Sequence, residues 1–172
     1  QDFADISERV TLLVNTPGSL PAGSAVRVHS NATLGGDGSV KGIAVVEGLL
    51  SPGRNGIGTM TLQSGLTLNP GACVLLEIQT TNPAAANDHV VVSGPLSVTG
   101  GILTVTNLGP DPPAGASFKL FSKPVSGFAT LRLPDLPAGR VWTNKLAIDG
   151  TVAVSLGTWT LRYGAGANGA IV

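Results

Sequence analysis

The stretch TMTLQSGLTLNPGACVLLEI, residues 59–78, contains the pattern that decides the fold. Apolar residues alternate with polar ones over short segments, which is typical of half-buried β-strands. The separators Gln63-Ser64-Gly65 and Asn69-Pro70-Gly71 are short, and Gly, Asn and Pro favour tight turns. The stretch therefore predicts brief strands joined by sharp corners.

The same pattern recurs along most of the chain. Between residues 40 and 106, a strand of three to six residues recurs every six to twelve residues. No convincing amphipathic helix follows residue 14, so the sequence predicts an all-β fold. We expect strands at residues 25–29, 42–47, 48–50, 59–62, 66–68, 73–78, 89–92, 95–98, 102–106, 117–121, 145–148 and 151–156.

Corners this short favour a parallel β-solenoid, in which each coil stacks about 4.8 Å above the one before. Inward positions would hold Val, Leu and Ile, and outward positions Thr, Ser and Gln. At about 20 residues per coil, residues 20–156 predict about seven coils. A narrow aliphatic interior fits an aromatic content of only 4%. The alternative is an antiparallel β-sandwich with a similar number of strands.

The two termini differ from this middle region. Phe3, Ile6, Val10 and Leu13 fall at helical spacing, and Asp2 or Asp5 would cap a helix there. We expect three segments: an N-terminal cap at 1–24 with a short helix, a β-helix domain at 25–156, and a C-terminal strand with a Gly/Ala-rich tail at 157–172.

Composition excludes several classes of protein. Ten Lys and Arg balance ten Asp and Glu, so the basic excess of a nucleic-acid-binding protein is missing. A hydrophobic content of 42% argues against disorder, and one cysteine excludes a disulfide framework. No apolar run reaches the roughly 18 residues of a membrane span. We expect Cys73, in an apolar run, to be a small buried hydrophobic residue.

Few residues suggest chemistry. Asp88-His89 is the most tempting acid–base or metal-binding pair, but Asp at a strand start commonly accepts backbone N–H bonds. His29 is too far along the predicted stack to share a metal with His89. We therefore predict no catalytic, cofactor-binding or metal-ligating residues and no cofactor. Stacking of coils could also bring scattered carboxylates together, for example Glu47 with Glu77. The scattered carboxylates are Asp37, Glu47, Glu77, Asp111, Asp135 and Asp149.

One series of motifs resembles a known family. Residues 34–40, LGGDGSV, and 50–53, LSPG, resemble the signature of autotransporter-associated β-strand repeat proteins of bacteria. The resemblance continues through 58–62, 66–71 and 87–94 to the block at 133–142, and covers roughly residues 25–156. It implies a single-stranded right-handed parallel β-helix in an extracellular region. No enzymatic residue belongs to the family pattern, so none is carried over.

These features together predict a non-catalytic structural module of a bacterial extracellular or cell-surface protein. We expect self-association through the terminal segments into filaments, and a surface polysaccharide as a further partner. We expect no nucleic-acid partner and no membrane span. The alternatives are a carbohydrate-binding or carbohydrate-cleaving β-helix, and a phage or virus fibre module.

Overall fold

The computed structural model describes residues 3–7, 9–81 and 84–158, and these residues form an all-β structure with parallel sheets. The predicted fold class is confirmed to that extent. In chain order the elements are β1 (Phe3–Ile6), β2 (Thr11–Leu13), β3 (Ser19–Leu20), β4 (Ala25–Val28), β5 (Thr33–Gly36), β6 (Ser39–Val40), β7 (Ala44–Val46), β8 (Leu49–Pro52), β9 (Thr59–Leu62), β10 (Leu66–Leu68), β11 (Cys73–Thr81), β12 (Ala84–Asn87), β13 (His89–Val92), β14 (Leu96–Val98), β15 (Ile102–Asn107), β16 (Ser117–Lys119), β17 (Thr130–Arg132), β18 (Arg140–Lys145), α1 (Leu146–Asp149) and β19 (Thr151–Leu156).

The chain passes through three parallel sheets in turn. The first sheet has the order β1-β4-β7-β10-β14, the second β2-β5-β8-β11-β15-β17, and the third β3-β6-β9-β13. Consecutive strands of the chain mostly lie in different sheets, so the chain coils instead of folding back in hairpins. In the described part, 12 of 15 strand pairs are parallel. This pairing rules out the alternative of an antiparallel sandwich.

Aliphatic side chains stacked in rows fill the space between the sheets. In the second sheet, Leu34, Leu50, Val74 and Leu103 lie in register on successive coils, and each is at most 1% exposed. Burying one such side chain contributes roughly 1.5–3 kcal/mol. We call this interior the aliphatic column. Its other fully or almost fully buried members include Val26, Val28, Val40, Ala44, Val46, Met60, Leu62, Leu66, Leu68, Leu76, Val90 and Val92.

The coils are fewer and longer than predicted. The register of the second sheet joins Leu12, Leu34, Leu50, Val74, Leu103 and Leu131, so one coil takes 16 to 29 residues. Five strands of this sheet follow residue 20, where seven coils were expected. The prediction was wrong because the later coils carry additions, such as the antiparallel pairing of β12 with the end of β11.

The predicted N-terminal helix is a second correction. Residues 3–6 and 11–13 are strands that pair in parallel with β4 and β5. Ile6 is buried, whereas Val10 and Leu13 are about half exposed, so these residues do not share one helical face. Pairing with a neighbouring strand edge overrides the local helical spacing, which is only a weak preference. This pairing also runs across residue 24, so the segment 1–24 shares its sheets with the region 25–156. Asp2 and the tail residues 159–172 lie outside the described residues.

Two smaller predictions also fail. Residues 146–148 of the expected strand 145–148 belong instead to the helix α1. The Asn144 side chain accepts the Leu146 N–H, and Gly150 ends the helix at φ +81°. Cys73 is exposed, not buried, because strand alternation points Val74 into the column and Cys73 outward.

The corner glycines act in two different ways. Gly65 and Gly100 adopt a positive φ, which glycine reaches without steric cost. Gly94 does not, but a Cβ on Gly94 would lie 2.3 Å from the carbonyl oxygen of Ser64 on the coil below. Its role is to let two stacked corners approach each other closely.

We predict that Gly94→Ala destabilises the protein by about 2 kcal/mol, because the stacked backbone must move to admit a methyl group. Gly23→Ala is the matched control, since a Cβ at Gly23 meets nothing within 4 Å, and we expect it to be neutral or slightly stabilising. Urea unfolding measures both variants. Equal stability of the two variants would contradict this role for Gly94.

Candidate functional site

Asp88 is the most unusual charged residue of the described chain, because it is completely buried. Its carboxylate accepts the backbone N–H of Gly58 at 2.7 Å and that of Glu77 at 2.8 Å. Its own N–H donates to the Glu77 carbonyl at 2.7 Å. The expectation that this carboxylate binds backbone N–H groups is confirmed. The donors, however, come from distant parts of the chain and not from a local turn.

Through these hydrogen bonds, Asp88 joins two segments of the chain. Its bonds with Glu77 close the base of the hairpin formed by the end of β11 and β12, and its bond to Gly58 holds the corner before β9. Burial raises the pKa of Asp88 to about 6, although its two N–H bonds oppose that change. The nearby Glu77 carboxylate raises this pKa further.

His89 and His29 lie on different coils and in different surroundings. Burial lowers the pKa of His89, and the Lys119 ammonium lowers it further. His29 instead contacts Asp5, with Nε2 and Oδ1 3.0 Å apart on the surface. The two histidines begin or follow strands of different sheets, so the structure does not bring them together.

Three of the scattered carboxylates accept hydrogen bonds from the backbone or from a neighbouring side chain. Asp37 accepts the Thr16 N–H at 2.8 Å, and this bond lowers its pKa. Glu47 accepts a bond from the Asn69 amide, and Asp149 accepts the Thr151 N–H. Glu47 and Glu77 are not stacked, since the register places them six positions apart along the second sheet. In the described part of the chain, no three His, Cys, Asp or Glu residues are grouped to hold a metal ion.

A groove of about 650 Å³ was not anticipated from the sequence. It lies between the β11–β12 hairpin and the loop before β16, and Asp111 is the carboxylate in its lining. Across this region the Thr80 hydroxyl donates to the Pro110 carbonyl. The groove was not anticipated because no strand was expected over residues 84–87, and the antiparallel hairpin that they form is one wall of the groove.

The C-terminal end of the aliphatic column is covered by a different kind of sheet. Strands β16, β19 and β18 pair in antiparallel order. Phe118 and Phe121 are completely buried there, and the Phe118 ring lies 6.2 Å from the ring of Trp142. The Gly150 carbonyl accepts bonds from the N–H groups of Leu120 and Phe121. Aromatic side chains thus close this end.

The N-terminal end of the column differs from the C-terminal end, because strand edges and partly exposed aliphatic side chains lie there. Strands β1, β2 and β3 are each the last strand of their sheet among the described strands. Leu12 and Leu20 are half-buried, whereas their register partners Leu34 and Val40 on the next coil are fully buried. We call β2 together with Val10 the N-terminal edge. Val10 and Leu13 there are 51% and 47% exposed.

Comparisons with family models, with curated proteins and with solved structures found no match to this chain. Among the helices of the described residues, none has the length and apolar character to cross a membrane.

The pKa of Asp88 predicts a pH dependence of stability. The pKa is raised in the folded state, from 3.8 to about 6, so the folded protein binds the proton more tightly than the unfolded chain. The associated stability is complete below pH 3.8 and is lost as the pH rises through 6. Between pH 4.5 and pH 8, we expect wild type to lose about 2 kcal/mol relative to Asp88→Asn.

Urea unfolding of both proteins at several pH values measures this difference. Taking the difference between them removes the contribution of His89, which titrates in both. A difference in the free energy of unfolding that does not change with pH would contradict the raised pKa.

Proposed function

We propose that the chain is a non-catalytic structural module of a bacterial extracellular or cell-surface protein, wound as a single right-handed parallel β-helix. The observation that carries the proposal is the stack of three parallel sheets around the aliphatic column. In such a stack the apolar side chains point inward, and the backbone N–H and C=O groups form hydrogen bonds between neighbouring coils. The outward side chains of the stack are available for contacts.

The family resemblance supports the same proposal. The motif residues Gly36 and Pro52 face each other in register on adjacent coils, in β5 and β8. A Cβ on Gly36 would lie 2.2 Å from the carbonyl oxygen of Val14 on the coil below. Glycine at this motif position therefore meets a requirement of stacking between coils.

The charged groups argue in the same direction. The buried carboxylate of Asp88 is engaged with two backbone N–H groups. A glycosidase needs a pair of carboxyl groups roughly 5–10 Å apart, whereas among the described residues that line the groove Asp111 supplies the single carboxylate. These observations favour a scaffold over an enzyme.

A polysaccharide-binding role is the second candidate, and one surface row favours it. Ser19, Ser39 and Thr61 lie in register on three successive coils of the third sheet. Neighbouring strands are about 4.8 Å apart, so this row presents regularly spaced hydroxyl groups. Hydroxyl groups both donate and accept hydrogen bonds, which suits the hydroxyl-rich surface of a glycan.

Immunogold electron microscopy of intact producing cells tests the principal proposal. With antibodies raised against the purified chain, we expect gold on the outer cell surface or in the surrounding matrix. Gold confined to the cell interior of sectioned cells would overturn the extracellular assignment.

Incubation of the purified chain with a panel of surface polysaccharides tests the non-catalytic part. We expect no release of reducing ends and no unsaturated product. Catalysed release that is lost in Asp111→Asn, but retained in the surface control Asp135→Asn, would favour the carbohydrate-cleaving alternative.

A further inference from the structure

The N-terminal edge is an unpartnered strand edge beside incompletely covered aliphatic side chains. In the described part of the chain, β2 has a sheet neighbour on one side only, which is β5. Its inward residue Leu12 is half-buried, and Val10 and Leu13 are exposed. Exposed strand edges with apolar side chains readily pair with a further strand.

The chain itself contains a strand-like segment that suits this edge. Residues 158–163 read TWTLRY and are separated from the last described strand by Gly157 alone. In an extended strand, Trp159, Leu161 and Tyr163 would lie on one face. The other end of the column is closed by the aromatic residues Phe118 and Phe121, so two further aromatic residues offer the same kind of cover.

Distance decides whether the segment reaches its own edge or that of a neighbour. Val90 of β13 pairs with Phe121 on the next level, and β3 lies three strands below β13. The column between them therefore spans about 19 Å, which takes about six extended residues. A tail that folded back would use residues 158–163 merely to cover this distance, whereas a neighbour stacked on the C-terminal end would meet them directly.

We propose that residues 158–163 of one copy pair with the N-terminal edge of a second copy. This inference rests on the proposed structural role and names the surfaces through which the module would self-associate. The contact joins two different surfaces, so repeating it produces an open filament along the axis of the column and not a closed dimer.

Two full-length variants test the contact, each blocking one of the two surfaces. The edge variant, Val10→Lys with Leu13→Lys, places charges on exposed positions where they oppose strand pairing. The tail variant, Leu161→Lys, places a charge on the apolar face of the segment. Ile43→Lys is the matched control, because Ile43 is 36% exposed and lies at mid-stack.

Analytical ultracentrifugation and electron microscopy give the readout. We expect filaments for wild type and for Ile43→Lys, and monomers for the edge variant alone and for the tail variant alone. An equal mixture of the two variants should form dimers with one copy of each. In such a dimer, the edge variant donates its intact tail, and both remaining surfaces are blocked.

The formation of mixed dimers also shows that both variants remain folded. Monomeric wild type, filaments of the tail variant alone, or an equal mixture that stays monomeric would each overturn the inference. None of these results depends on where the protein resides in the cell or on whether it cleaves a glycan. Failure here is therefore distinguishable from failure of the proposed function.

Discussion

Parallel pairing between coils is the constraint on which the rest of the structure depends. Each coil must present its inward aliphatic residues at the height where the coil below presents its own, as Leu34, Leu50 and Val74 do. A shift of one residue would turn every inward side chain outward. The close approach of Gly94 to Ser64 and the two N–H bonds of Asp88 keep corners at the height that this pairing requires.

A stack of this kind leaves two ends, and the chain treats them differently. At the C-terminal end, an antiparallel sheet and buried aromatic side chains replace the repeating coil. At the N-terminal end, the described strands finish as edges, and Leu12 lacks the cover that Leu34 has. Among the described strands, those of the middle coils are paired on both sides, whereas the last strands at the N-terminal end keep an edge on which a further strand could pair.

The sequence predicted most strands of the middle of the fold well and the N-terminal segment poorly. Short strands such as Thr59–Leu62 and Thr151–Leu156 were predicted with their observed bounds, because alternation and turn residues are local signals. The N-terminal strands were misread, since their pairing with β4 and β5 is a long-range property. The role of Asp88 as an acceptor of backbone N–H groups was predictable. Its partners Gly58 and Glu77 were not, because coiling brings Gly58 to it and the unpredicted β11–β12 hairpin brings Glu77.

Contacts between methyl groups in solution test the coiled arrangement most directly. Nuclear Overhauser measurements on a sample with labelled Leu and Val methyl groups would report which side chains are neighbours in the column. The coiled arrangement predicts contacts between Leu34 and Leu50, between Leu50 and Val74, and between Val74 and Leu103. A set of contacts that instead joined sequential strands as antiparallel hairpins, with these successive pairs apart, would contradict it.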